Sequence, residues 1–296
     1  MILVTGGTGF IGQALIRHLI ASGKQVRTLL RPSGRSPQLP KGISVDAAVC
    51  SLLDERGLRA AMKDVDEIYH LAGTERYSSR ADLQNVDVEG SEILIQVAAQ
   101  TGVRKIAFLS HLGADRASAF PVLKAKALTE IALARSGVPY TILRTAPIYG
   151  PGDQFTTVLA RLLRMAPGFF LVPGDGKTLI QPLWIEDFIS CLIIAMDNDE
   201  LTNQTLSIGG IEALPFLDVM HMIMRQIKVK RAVIPVTPSF LRTITLMLDE
   251  FTRFPVSVFW LDYLAVDRTA PLETIPKIFG ILPARFHNQL QYLSYM

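Results

Sequence analysis

Val4-Thr5-Gly6-Gly7-Thr8-Gly9-Phe10-Ile11-Gly12 follows the apolar residues Ile2 and Leu3 and runs into Phe10–Ala21, where Ile11, Leu15, Leu19 and Ile20 recur at helical spacing. The pattern is strand, glycine-rich turn, helix, with Gly6, Gly9 and Gly12 three residues apart. Each glycine has a distinct expected task. Gly6 lets the chain leave the strand in a tight turn, Gly9 lets bare backbone approach a diphosphate, and Gly12 lets helix and strand pack closely. The first-turn amides around Phe10 and Ile11, at the positive end of the helix dipole, then hold the anion.

Downstream segments repeat the rhythm. A second apolar strand, Val26–Leu30, ends in Arg31-Pro32-Ser33-Gly34-Arg35. Dinucleotide folds usually place an acidic residue here to bind the ribose hydroxyls of NAD(H). None stands there, and Arg31, with Ser33 and Arg35 behind it, suits the extra phosphate of NADP(H). NADP(H) is therefore the favoured cofactor, with NAD(H) still open and a solvated basic loop as the plain alternative. Strand Ser44–Val49 precedes a helix capped by Asp54. Strand Glu67–Leu71 ends in Ala72-Gly73, so Leu71, Ala72 and Gly73 face the cofactor. Helix Asp87–Gln100 feeds strand Lys105–Leu109, which ends at Ser110-His111. Helix Phe120–Arg135 feeds strand Tyr140–Leu143, which reaches Pro147-Ile148-Tyr149.

Alternation of short apolar strands with such helices predicts an α/β fold, a doubly wound parallel sheet of the Rossmann kind. Ligands of such sheets bind at the carboxyl ends of the strands, where Gly6, Arg31, Gly73, Ser110 and Pro147 all fall. We expect residues 1–150 to form the nucleotide-binding domain, with 177–209 returning to it. Residues 151–296 form a smaller, mostly helical C-terminal lobe, in which Asp187 caps a helix. Phe240, Ile244, Met247, Leu248 and Phe251 make an apolar stripe there, read as core or lobe interface rather than as a membrane anchor.

The 296 residues carry 30 basic and 27 acidic side chains, and a net charge of +3 argues against a nucleic-acid partner. No apolar run is long enough to span a bilayer, because Asp187, Asp197, Arg242, Asp249 and Asp262 interrupt each candidate. A mean hydropathy of +0.29 is high for a soluble chain and leaves a greasy pocket, an oligomer interface or peripheral membrane contact open. Cys50 and Cys191 stand apart, so reduced thiols and no metal framework are expected. With a strand starting at the first residues there is no room for a signal peptide, and a cytoplasmic location is expected.

Taken together, several motifs resemble the short-chain dehydrogenase/reductase superfamily, in its extended and atypical, epimerase/dehydratase-like members. Thr5 to Gly12 is similar to their cofactor turn. So are His70-Leu71-Ala72-Gly73, Asp87-Val88-Glu89-Gly90, Leu143-Arg144 through Pro147 to Asp153, and Gln181-Pro182-Leu183-Trp184-Ile185-Glu186-Asp187. The branch most resembled includes the NAD(P)H-binding accessory subunit of respiratory complex I and NmrA-like redox sensors.

The resemblance implies a Tyr and a Lys four residues apart on one helix, the ammonium lowering the phenol pKa and holding the nicotinamide ribose. Lys126 matches the lysine, but Val122 stands at the tyrosine position. Ser110 occupies the serine region, followed by His111-Leu112, and Asp87 stands where many members have Asn. Two classes of function follow. One is an NADP-dependent oxidoreductase acting on a small apolar substrate of quinone, lipid or aromatic type, with Lys126, Tyr149, Tyr77 or His111 supplying the proton. The other is a non-catalytic NADP(H)-binding redox sensor, assembly factor or accessory subunit of a protein complex. Many relatives form homodimers through the helices at 87–100 and 119–136.

Overall fold

The computed structural model describes residues 1–33, 39–40, 42, 44–74, 83–243 and 258–295. They fold as two compact units, Met1–Arg144 with Ile189–Leu206, and Thr145–Phe188 with Ser207–Met296.

In the first unit β1 (Ile2–Thr5), β2 (Val26–Leu30), β3 (Asp46–Val49), β4 (Glu67–His70), β5 (Lys105–His111) and β6 (Tyr140–Thr145) form a sheet with a later strand, Gln204–Ile208, at its edge. The spatial order is Gln204–Ile208, β6, β5, β4, β1, β2, β3. In-register parallel pairs include Ile2 with Val26 and with Glu67, and Glu67 with Lys105. The winding direction reverses between β1 and β4, which is where such sheets bind their ligands. Strands buried on both faces need continuous apolar sequence, and Ile2-Leu3-Val4 and Ile106-Ala107-Phe108-Leu109 provide it.

Helices α1 (Phe10–Ala21), α2 (Glu55–Ala61), α3 (Ser91–Thr101) and α4 (Pro121–Arg135) cover the sheet. Leu3, Leu58, Ile68, Leu94, Ile106 and Phe108 meet in one core. Asp54 caps α2 as expected, its carboxylate accepting the Gly57 amide at 3.0 Å. The expected helix 87–100 differs, because Leu83–Gly90 winds as a wider π-helix before α3 begins at Ser91. Such turns often mark functional positions, and Asp87 lies within this one.

The second unit has its own core of Tyr149, Phe155, Leu163, Val172, Phe216, Met220, Ile223 and Leu290. Helices Thr156–Met165 and Phe216–Gln226 line it, with a 3₁₀ segment, Phe286–Tyr295. Strands also occur in the last ninety residues: Ala232–Val236 pairs parallel with Phe169–Pro173, and Leu214–Pro215 antiparallel with Leu179–Ile180. Asp187 is not a cap. Its helix starts at Ile185, and its carboxylate accepts the Ala284 amide at 2.8 Å. Of the apolar stripe, Phe240 is exposed at its surface, and Ile244 to Phe251 lie outside the described residues. Among the described residues no helix is long and apolar enough to cross a membrane. Cys50 and Cys191 are buried and no disulfide links them.

Candidate functional site

The turn after β1 is built by backbone crowding. Gly6 adopts φ +71°, and a Cβ there would lie 2.7 Å from the Leu71 carbonyl oxygen, so the turns after β1 and β4 touch. A Cβ on Gly12 would lie 2.2 Å from the Gly6 carbonyl oxygen and 2.7 Å from the Gly7 Cα. Gly12 therefore closes the helix onto the turn itself. The close approach to a neighbouring strand belongs to Gly7, whose Cβ would meet Thr28 Oγ1 of β2 at 2.1 Å.

Gly9 is different. It is exposed, and a Cβ there would meet protein only at 3.3 Å, at the Gly6 oxygen. It stands at the N-cap of α1, and among the described residues no side chain caps the helix. A helix whose first amides face outward past a bare Cα fits a diphosphate. Among the described residues, position 9 is far less crowded than position 12, since a Cβ there would press only on the Gly6 oxygen.

Behind the turn a buried polar chain sets the corner at 70–73. Thr5 Oγ1 accepts the amides of Leu71 and Ala72, each at 3.2 Å, leaving its own proton for His70 Nδ1 at 2.7 Å. His70 Nε2 then donates to Ser91 Oγ at 2.9 Å, and the ring stacks on Phe108. Burial, aided by the Lys126 charge, pushes His70 down from 6.5 to about 3, so it stays neutral. The unfolded chain binds this proton below pH 6.5 and the folded chain does not until about pH 3, so stability falls as pH drops through that window. The expected slope from this ring is about 1.4 kcal/mol per pH unit. Urea unfolding at pH 6.5 and pH 5 should show a smaller pH dependence in His70→Gln than in wild type. Equal slopes would show that His70 carries no such linkage.

The residues matched to the proton relay come from the end of β5 and from α4. Lys126 is buried in α4, with Nζ 3.9 Å from Asp87 Oδ1 and 5.3 Å from the Phe108 ring centre. Asp87 also accepts the Thr74 amide at 3.0 Å and the Thr74 hydroxyl at 2.5 Å, while its carbonyl accepts Thr129 Oγ1. Val122, one turn before Lys126, is buried and apolar. Ser110 donates to Glu130 Oε1 at 2.5 Å, and Arg144 grips the same carboxylate through Nε and Nη2. Those bonds hold the Arg144 guanidinium above its ordinary pKa. Glu130, which occupies Ser110, and Arg144, which grips Glu130, were not identified as site residues from sequence. Glu130 was signalled by a lone carboxylate on the helix of Lys126, and Arg144 by its place in the motif that runs from Leu143 to Asp153.

Arg31 and Ser33 are exposed just beyond the end of β2, and Arg35 and Tyr77 lie outside the described residues. His111 ends β5 and is partly buried. Pro147, Ile148 and Tyr149 belong to the second unit. There the Pro147 carbonyl accepts the Leu183 amide, and Ile148 pairs with Leu183. Tyr149 is fully buried, edge-on to Trp184 and Phe286, and its hydroxyl has no partner among the described residues. Burial, reinforced by Asp187, Glu212 and Asp153, raises its pKa. A phenol so placed packs rather than donates. Asp153, from the same motif, accepts the amides of Gly150, Phe155 and Thr157 and opens helix Thr156–Met165.

A family model described as NAD(P)H-binding matches residues 6–159. The chain is 30% identical to sterol demethylase protein B of Methylococcus capsulatus, over 66% of this chain and 65% of that one. It is 28% identical to NADH dehydrogenase [ubiquinone] 1 alpha subcomplex subunit 9, mitochondrial, of Arabidopsis thaliana, over 70% of this chain and 53% of that one. The match thus spans less than two thirds of either relative's length. A UDP-glucose 4-epimerase structure from Thermotoga maritima superposes with a TM-score of 0.76, 20% identity and coverage of 99% and 97%. That likeness shows a shared fold.

Proposed function

Because the chain belongs to the NAD(P)H-binding family, as an atypical short-chain dehydrogenase/reductase, we propose that it holds NADP(H) as a resident ligand and serves a larger protein complex as a redox-responsive, non-catalytic component. Bound nicotinamide supplies or accepts a hydride. Gly6, Gly9 and Gly12 with the amides of Phe10 and Ile11 would hold the diphosphate, Arg31 with Ser33 the adenosine phosphate, and Leu71, Ala72 and Gly73 the facing edge. One observation carries the non-catalytic part: the Ser110 proton is committed to Glu130, and Val122 offers none. A carbonyl oxygen receiving hydride needs a proton donor within about 3 Å, and neither residue is one. A ligand that binds only the folded state also stabilises it, so the site has a use without turnover. A subunit of NADH dehydrogenase among the relatives supports this reading.

A second reading has its own support. Lys126 is kept buried beside Asp87, which is costly for an ammonium without a task, and one relative's name includes a sterol. In this reading the protein reduces an apolar quinone, lipid or aromatic acceptor, and Lys126 governs proton supply. The two readings separate on purified protein. Nucleotide is released and identified, and NADPH oxidation is followed with a panel of quinones and carbonyls. Retention near one nucleotide per chain with no turnover is expected. Oxidation that depends on Lys126 would overturn the non-catalytic reading in favour of the reductase.

A further inference from the structure

We propose that the second unit carries a docking surface for an anionic lipid bilayer, formed by the outward face of its two-stranded parallel sheet and the basic groove at the foot of that sheet. Register and the period of two define the face. Phe169 pairs with Ala232 and Leu171 with Ile234, so these four side chains project to one side. Phe170, Val172 and Val233, of opposite parity, pack into the core. The outward side is left apolar and open, Phe169 at 45% and Ile234 at 42% exposure, with Met165 beside it at 74%.

Cations border this face. Arg231, one residue before the strand, donates to the carbonyls of Leu163 and Arg164 at 3.0 and 3.2 Å, which ties the sheet to the helix end that carries Met165. His221, Met224, Arg225, Val229, Lys230 and Arg231 line a groove of ≈ 470 Å³. The two segments that build the region, 154–174 and 219–241, contain Arg161, Arg164, Arg225, Lys228, Lys230 and Arg231 and no acidic residue, with Asp153, Asp175 and Asp218 at their borders. In a chain with nearly equal numbers of acids and bases, that is strong local segregation.

The occupant has to match both features. Apolar tips from separate segments, with a cationic groove at the foot of the sheet, match a planar, fluid surface with negative charge outside and hydrocarbon beneath. Each cation near such a surface contributes roughly a fivefold gain in binding. The inference does not depend on the nucleotide reading, since none of these residues belongs to the first unit.

Full-length protein would be sedimented with vesicles of phosphatidylcholine alone and of phosphatidylcholine with about one third phosphatidylglycerol. Binding to the anionic vesicles only, weakened by salt, is expected. Arg225→Ala/Lys230→Ala should reduce it about thirtyfold. Phe169→Ser/Ile234→Ser should reduce it about tenfold or more. A wild-type circular dichroism spectrum with a cooperative thermal unfolding transition shows that each variant is folded. Equal binding to neutral vesicles, no binding to either, or wild-type binding by both folded variants would overturn the proposal. Retention on polyglutamate without vesicle binding would also overturn it, and would assign the face to an acidic protein partner.

Discussion

Gly12→Ala should lose nucleotide binding and about 3 kcal/mol of stability, while Gly9→Ala should lose affinity at a smaller cost of about 1 kcal/mol. The difference lies in what each new methyl meets. At position 12 it would lie 2.2 Å from a carbonyl oxygen and 2.7 Å from a backbone Cα, both in the turn that shapes the site. Neither is the end of a flexible side chain, so the turn itself must move. At position 9 the methyl meets protein only at 3.3 Å, and φ −78° suits any residue. Alanine there costs the protein about 1 kcal/mol, since glycine is a better N-cap than alanine and the Gly6 oxygen must give slightly to admit the methyl. It does stand where a diphosphate would approach. Losing one hydrogen bond to a charged group predicts about a 10- to 100-fold drop in affinity. Thermal unfolding and nucleotide titration of both variants check this. Full affinity in a stable Gly9→Ala protein would move the diphosphate away from this helix.

Arg31→Ala should weaken NADPH binding about 10- to 100-fold while leaving NADH within about threefold, the range expected for a charge-assisted bond to the added phosphate. Arg31 is exposed beyond the end of β2, so the preference should also shrink as salt rises. Parallel titrations with both nucleotides at two ionic strengths measure this. Equal losses for the two would reduce Arg31 to a solvated loop residue.

How much could be read from the sequence depends on how local each feature is. The turn at 6–12, the Asp54 cap and the apolar strands are written in neighbouring residues, and the doubly wound sheet follows from their alternation. The tight turn at Gly6 was legible, but the packing against a neighbouring strand expected of Gly12 belongs to Gly7, because the contacts at Thr28 and within the turn come from folding and not from spacing. The π-helical start at Leu83–Gly90 has no distinctive composition, so an ordinary helix was the natural expectation. Networks were the least legible. Ser110, Glu130 and Arg144 come from a strand, a helix and a further strand, and His70 reaches Ser91 across 21 residues. The pairing of Phe169–Pro173 with Ala232–Val236 likewise joins segments about sixty residues apart, and no local period announces it. Val122 was the exception, a single apolar residue at a position where the family resemblance implies an acid.

The central claim is that open amides at the start of α1 bind a pyridine nucleotide. Calorimetric titration of nucleotide-stripped protein tests it most directly. One saturable site per chain, tighter for NADPH than for NADH, is the predicted result. Absence of binding to either nucleotide at millimolar concentration, with the protein shown to be folded, would contradict it.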